Sequence, residues 1–242
     1  MSPLYMLELQ IDVAALHKFL HIQGYAGRED ETELGYGIHA WLKAAFSEIA
    51  PKPWRLLMDG KRPTRILGYS AYHAQALQQR LHEFGEPSVA MVCPESLGIA
   101  GRQMPNWQTG RKLGFQVLAC PVGRKAVNGV EKDLFLITAD AVERGTRISR
   151  EVVYGEWMKK KFAQYGVAIE KVDLTAFRLV KQIRQTQYLG DKRRQKHITR
   201  PQALLEGHLT VGDPQRFTEL LAHGLGRHRA FGYGMVLLRP IQ

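Results

Sequence analysis

The sequence predicts an α+β protein made of two successive units of strands and helices. Three observations carry that expectation. The spacing of apolar residues switches repeatedly between a period of two and one of 3.6, and the turn-forming, charged stretch Pro121–Val130 interrupts the pattern near mid-chain. A length of 242 residues also leaves room for one large or two small domains.

In the first half, Leu4–Ile11 alternates apolar and polar side chains and predicts a strand. Val13–Gln23 fits either a short helix or an ordered loop, and Gly24–Thr32 is polar and rich in turn formers. Leu34–Ile49 predicts a helix, because Ile38, Trp41, Leu42, Ala45, Phe46 and Ile49 recur at helical spacing and Pro51 and Pro53 stop it. Arg55–Met58 and Arg65–Tyr69 predict paired strands joined through Asp59-Gly60. Tyr72–Phe84 is amphipathic at the helical period, and Val89–Val92 predicts a short strand. Strand, helix, two strands, helix, strand is the order of a ferredoxin-like unit. The alternating run Leu113–Cys120 follows, and the first domain is taken as residues 1–122.

The second domain is taken as residues 131–242. Glu131–Ala141 suits either helix or strand. Arg150–Tyr165 predicts a helix with Val153, Trp157 and Phe162 inward and Lys159, Lys160 and Lys161 together, which is ordinarily a solvated face. Val167–Val180 and Ala203–Val211 predict strands, Pro214–His223 a helix, and Met235–Leu238 a final strand. Between the two strands lies the insertion 181–200, with Arg184, Lys192, Arg193, Arg194, Lys196, His197 and Arg200 around a Gly190-Asp191 turn. So dense a charge excludes a core element and predicts an extended basic hairpin or loop.

Lys and Arg number 34 against 23 Asp and Glu, a formal net charge of +11. An imbalance of that size points to an acidic polymer as partner. A membrane is the competing sink for the charge, but no apolar run approaches a transmembrane length and the N-terminus has no signal-peptide pattern, so the expected location is cytoplasmic. Cys93 and Cys120 form neither a metal-ligand spacing nor a disulfide framework. His17 and His21 stand four apart without a third ligand, so neither a metal site nor a cofactor is expected.

The most informative segment is Gly224-Leu225-Gly226-Arg227-His228-Arg229-Ala230-Phe231-Gly232-Tyr233-Gly234. Its glycines remove side chains where backbone must come close to something, while two arginines and a histidine place cationic donors in the same loop. Two Gly-x-Gly pairs around a basic centre favour contact with RNA or DNA over a plain turn with incidental charge.

Three segments together resemble the CRISPR-associated precursor-RNA endoribonucleases of the RAMP superfamily, especially the CasE-like branch and its type IV relatives. That family ends in a glycine-rich loop with a central basic residue, and Gly224, Gly226, Arg229, Gly232 and Gly234 fall at its places. Tyr36-Gly37-Ile38-His39-Ala40-Trp41-Leu42-Lys43-Ala44-Ala45-Phe46 is similar to the family's aromatic residue three before a histidine, followed by Leu and an Ala-Phe pair. Leu113–Lys125 looks like its apolar strand ending in Pro before basic residues. One departure is that Arg227 and His228 stand where the family often has Pro and a small residue, making this loop more cationic.

The resemblance implies tandem ferredoxin-like, RNA-recognition-type domains. It further implies metal-independent cleavage of precursor CRISPR RNA at the 3′ base of the repeat hairpin. The ribose 2′-OH would attack, leaving a 2′,3′-cyclic phosphate, and mature crRNA would be retained with other subunits of a ribonucleoprotein effector complex. His39 is then the first candidate for general base, with Tyr36 one turn earlier on the same helix face; His17 is the runner-up and Arg28 a candidate for stabilising the phosphorane. Arg184, Lys192, Arg193, Arg194, Lys196 and Arg200 become candidates for the RNA stem. Arg124, Lys125, Arg227, His228 and Arg229 become candidates nearer the cut strand. Periodicity alone favours a plainer role for His39, as a packing residue among Ile38, Trp41 and Leu42. The alternatives are a non-catalytic RNA-binding subunit on the same fold and an unrelated basic RNA-binding protein.

Overall fold

The computed structural model describes residues 3–24, 31–60, 62–95, 98–124, 130–143, 145–185 and 195–241, with backbone alone at 31–33, 182–185 and 195–198. Two compact units result. The first comprises Met1–Asn106, Leu221–Gly224 and His228–Met235, and the second Trp107–Leu220, Leu225–Arg227 and Val236–Gln242.

The first unit opens with β1 (Tyr5–Gln10), whose alternate residues Leu7 and Leu9 are completely buried, as the period of two predicts. α1 (Val13–Ile22) settles the open choice for that stretch as a helix. Asp12 caps it by accepting from the Ala15 N–H at 3.0 Å, and Leu16, Phe19 and Leu20 supply its buried face. α2 (Glu31–Phe46) buries Ile38, Trp41, Leu42, Ala45 and Phe46 and runs into a short 3₁₀ turn at Ser47–Ile49. β2 (Trp54–Leu57) and β3 (Arg65–Ser70) pair antiparallel, and Arg65 donates to the Asp59 carboxylate at 2.9 Å within the connection.

α3 (Ala74–Phe84) begins two residues later than its period suggested, because His73 acts as the cap: its Nδ1 accepts from the Ala76 N–H at 3.3 Å. Val89–Val92 is not a strand. Pro87 starts a short helix there, α4 (Pro87–Ala90), and the Val89 carbonyl accepts from the Trp41 indole at 3.0 Å. The fourth strand is β4 (Ile99–Gln103), an edge strand in which Ile99 alone is buried, so it has no apolar alternation to read. The sheet order is β2-β3-β1-β4.

The second unit starts its sheet with β5 (Lys112–Ala119). A first domain of residues 1–122 would include this strand, but it pairs with β9 and β10; alternation reveals a strand without revealing its sheet. β6 (Val122–Arg124) and β7 (Glu131–Asp133) form a small ribbon, and α5 (Leu134–Ala141) follows, so Glu131–Ala141 is strand and helix in succession. α6 (Arg150–Ala163) is capped by Ser149 and buries Tyr154, Gly155, Met158 and Phe162, with Val153 and Trp157 half-buried beside them. The Arg150 guanidinium lies over the rings of Phe135 and Phe177, and the Tyr154 hydroxyl donates to Asp133 at 2.8 Å, which ties α5 and α6 to the sheet.

β8 (Val167–Gln185) and β9 (Gln195–Val211) form a hairpin longer than its apolar cores, in register from Val167↔Val211 to Gln185↔Gln195. Backbone pairing carries the ladder into the basic insertion, where side chains need not be buried. The centre of that insertion, 186–194, lies outside the described residues. α7 (Pro214–His223) and β10 (Val236–Arg239) complete the unit's order, β10-β5-β9-β8. Each sheet therefore sets its first strand between its third and its last, the split βαβ arrangement of a ferredoxin-like domain.

Gly207 on β9 marks a close approach beside the irregular register at Ile169/Lys171, since a Cβ there would stand 1.9 Å from the Lys171 carbonyl oxygen. Gly207→Ala is expected to lower stability by about 1–3 kcal/mol, the usual range for overpacking, in urea unfolding; a parental midpoint would contradict the contact.

Candidate active site

Tyr36 and His39 lie three residues apart on α2 and therefore on one face. The ring that meets them is Phe231, in a 3₁₀ turn at Arg229–Phe231 inside the glycine-rich segment. Phe231 stacks on Tyr36 with centroids 6.0 Å apart and planes 21° apart, and meets His39 edge-on at 5.5 Å and 79°. His228 lies against the same phenyl ring at 6.2 Å. One half-buried aromatic thus gathers three of the rings that the sequence singled out.

Backbone conformation holds this turn in place. His228 (φ 61°) and Gly232 (φ 87°) bracket it in the left-handed region, and the Phe231 N–H donates to the His228 carbonyl at 2.8 Å. The Trp54 indole donates to the Ala230 carbonyl at 3.1 Å. A Cβ at Gly35 would stand 3.0 Å from the Phe231 carbonyl oxygen, and one at Gly232 would stand 2.9 Å from the Trp54 ring. The backbone that these glycines let come close is the protein's own, packed on α2 and Trp54.

His39 also lines an open cavity of about 600 Å³, together with Tyr36, Lys43, Phe19 and Phe84. Burial pushes the His39 pKa below its ordinary 6.5, and the charges of Lys52 and Lys43 push it the same way. The imidazole is therefore neutral near neutral pH and keeps a lone pair to accept a proton. Lys43 was not among the sequence candidates, although one helical turn from His39 places it on the same face. The thiols of Cys93 and Cys120 are buried and pushed up to about 12 by desolvation, a state unsuited to nucleophilic work. Among the described residues, no group of three or more His, Cys, Asp or Glu is placed to hold a metal ion, and no helix is long and apolar enough to cross a membrane.

The other candidates fall elsewhere. His17 is exposed on α1, away from its buried Leu16, Phe19 and Leu20, and does not line the cavity. Arg28, Lys125, Lys192, Arg193 and Arg194 lie outside the described residues. Arg184 and Lys196 are register partners on the β8–β9 ribbon, and their side chains lie outside the described set. Arg124 is exposed at the end of β6. Arg229 donates to the His223 carbonyl at 2.6 Å, near the C-terminus of α7.

Arg200 is buried, with its guanidinium 2.8 Å from Glu131, and Arg227 reaches the same carboxylate at 3.1 Å. That placement suits an internal cross-link of the second unit. Glu131 was not anticipated, because a lone carboxylate on a short strand carries no sequence signal. Glu131→Ala leaves Arg200 buried without its counter-charge and is expected to destabilise the protein by about 3–5 kcal/mol in equilibrium unfolding. A loss below about 1 kcal/mol would show the pair to be solvated.

A family model described as CRISPR associated protein matches residues 4–240. The chain belongs to this CRISPR-associated family. No curated protein matches it. Among solved structures, the fold is similar to a CRISPR endoribonuclease Cse3 bound to a 19-nucleotide RNA, with a TM-score of 0.66 and 19% identity over 98% of this chain and 100% of that one. It is similar to the CRISPR-associated protein Cas6e of Escherichia coli K-12, with a TM-score of 0.53 and 18% identity over 98% and 100% of the two chains. A chain of a CRISPR RNA-guided surveillance complex matches with a TM-score of 0.52 and 12% identity over the same shares. These likenesses extend over nearly the whole family member and bear out the expected tandem ferredoxin-like fold.

Proposed function

We propose that this protein is an endoribonuclease that cleaves precursor CRISPR RNA at the 3′ base of the repeat hairpin and keeps the mature crRNA within an effector complex. One observation carries the reading: a neutral, half-buried His39 stands beside Tyr36 at an open cavity in a strongly cationic chain. Family membership supports it, as do the endoribonuclease and the surveillance complex that share the fold.

In the proposed reaction, His39 removes the ribose 2′-OH proton and the freed oxygen attacks the adjacent phosphorus in line with the departing 5′-oxygen. A 2′,3′-cyclic phosphate and a 5′-OH result, the departing oxygen taking its proton from solvent at the open cavity and His39 returning its own to solvent. Tyr36 orients the hydroxyl or donates to a non-bridging oxygen. Lys43 and Lys52, whose charges already act on His39, offset the charge that develops on the phosphorane. Phe231 is the positioning residue, since its ring limits the rotamers open to Tyr36 and His39. The same edge-on packing favours a second reading, a non-catalytic RNA-binding subunit in which His39 is only a core contact. Cutting of a cognate repeat in EDTA, abolished by a single 2′-deoxy nucleotide at the scissile position, excludes that reading.

His39→Ala is expected to slow single-turnover cleavage by about 10²–10⁴-fold and Tyr36→Phe by less, with His17→Ala cutting at the parental rate. Parental activity in His39→Ala would remove the base assignment. The sign of the pKa shift sets the pH profile: the active form is the unprotonated imidazole, so the rate climbs with pH and levels off at an inflection below 6.5. Lys43→Gln removes one of the charges depressing that inflection and is expected to move it upward.

The basic hairpin is proposed to grip the RNA stem, with Arg184 and Lys196 on paired strands leading to Lys192, Arg193 and Arg194. Replacing Arg193 and Arg194 by Ala is expected to weaken hairpin binding and to flatten the plot of log affinity against log salt by about two units. An unchanged salt slope would take this segment out of the interface.

A further inference from the structure

The cavity beside His39 continues beyond the reacting pair. Phe84, at the C-terminus of α3, lines it and is 67% exposed, which is unusual for a phenyl ring. The Arg80 guanidinium lies over the Phe84 ring, 5.3 Å from its centroid, and steadies it as a flat platform. Ala40 and Ala44 stand one turn apart on α2, and these short side chains leave open the space that longer ones would fill. Lys43 provides a cation at the cavity, and Glu86 and Gln23 provide hydrogen-bonding groups.

We propose that this cavity is a nucleobase subsite, receiving one unpaired base next to the scissile phosphate and stacking it on Phe84. The inference rests on the endoribonuclease reading and extends it to a substrate feature. A volume of about 600 Å³ holds a purine or pyrimidine with its ribose. Stacking on an aromatic platform is the usual way a protein captures a base that has left the helical stack, and an in-line attack needs the nucleotides at the cut to leave A-form geometry. The phosphate flanking the base would meet Lys43, which favours a nucleotide over an apolar protein side chain in the same groove. Glu86 offers acceptor oxygens to a donor on the base edge, an exocyclic amine or a ring N–H.

The test uses the full-length protein and uncleavable repeat RNAs carrying a 2′-deoxy nucleotide at the cut, each with an abasic site at one or the other flanking nucleotide. In the parental protein one of the two abasic RNAs is expected to bind about 10- to 100-fold more weakly. In Phe84→Ala the intact RNA loses a similar factor and the abasic penalty largely disappears, while Phe84→Trp restores both. Ala44→Leu, at an exposed helix position, should block the cavity and reproduce the Phe84→Ala loss, with circular dichroism reporting that the fold is kept. An abasic penalty equally large in Phe84→Ala, or no penalty in the parental protein, overturns the proposal. So does a Phe84→Ala protein that binds RNA normally and fails only to assemble with other subunits, which would assign the groove to a protein contact. Because binding is measured without chemistry, a parental protein that cuts no repeat would defeat the endoribonuclease reading alone.

Discussion

The packing of Phe231 against Tyr36 and His39 is the contact on which the candidate site depends. It joins two stretches nearly 200 residues apart in the chain, and neither makes a site alone. α2 supplies the imidazole and the phenol on one face. The glycine-rich segment supplies the wall that limits where those rings can go. The wall is held by backbone: a left-handed bracket at His228 and Gly232, an indole hydrogen bond to Ala230, and a glycine on each side of the contact, at Gly35 and Gly232.

The electrostatics of the segment follow from the same economy of space. Its arginines are engaged by the protein itself: Arg227 shares the Glu131 carboxylate with the buried Arg200, and Arg229 serves a carbonyl near the end of α7. The positive field of the loop is thereby kept while its geometry is constrained. His39 experiences another cationic neighbourhood, from Lys43 and Lys52, which works with burial to keep it unprotonated. In the proposed reaction those cations would serve twice, by depressing the base and by offsetting charge on the phosphate.

Much of the fold was legible in the sequence because periodicity reports burial directly. α2, α6, α7 and the β2–β3 hairpin read correctly for that reason. The misreadings have physical causes as well. β4 is an exposed edge with one buried residue, so alternation is absent; Val89–Val92 is apolar because it covers Trp41, not because it is extended. β5 reads as a strand, yet nothing local says which sheet will hydrogen-bond it. At the site, the Tyr36–His39 spacing was legible and Phe231 was not, since a contact between distant segments leaves no periodic trace. The glycines of the loop do mark close approach, and what they approach is the protein's own side chains: Gly224 the Pro53 ring, Gly226 the Trp157 ring and Gly232 the Trp54 ring. His39 lines the cavity and His17 is exposed on α1, a difference in surroundings that residue spacing does not show.

The long β8–β9 hairpin has a consequence outside any RNA chemistry. β8 runs for 19 residues along the outer side of its sheet, and among the described residues only β9 pairs with it. So long a free edge is a template onto which another chain could add a strand, the first step of aggregation. Two register irregularities, at Ile169/Lys171 and Leu174/Ala176, interrupt its flatness, and Glu170, Lys171, Asp173, Arg178 and Lys181 space charge along it. These bulges and charges act as gatekeepers, letting the sheet grow an arm without inviting a neighbour to zip onto it.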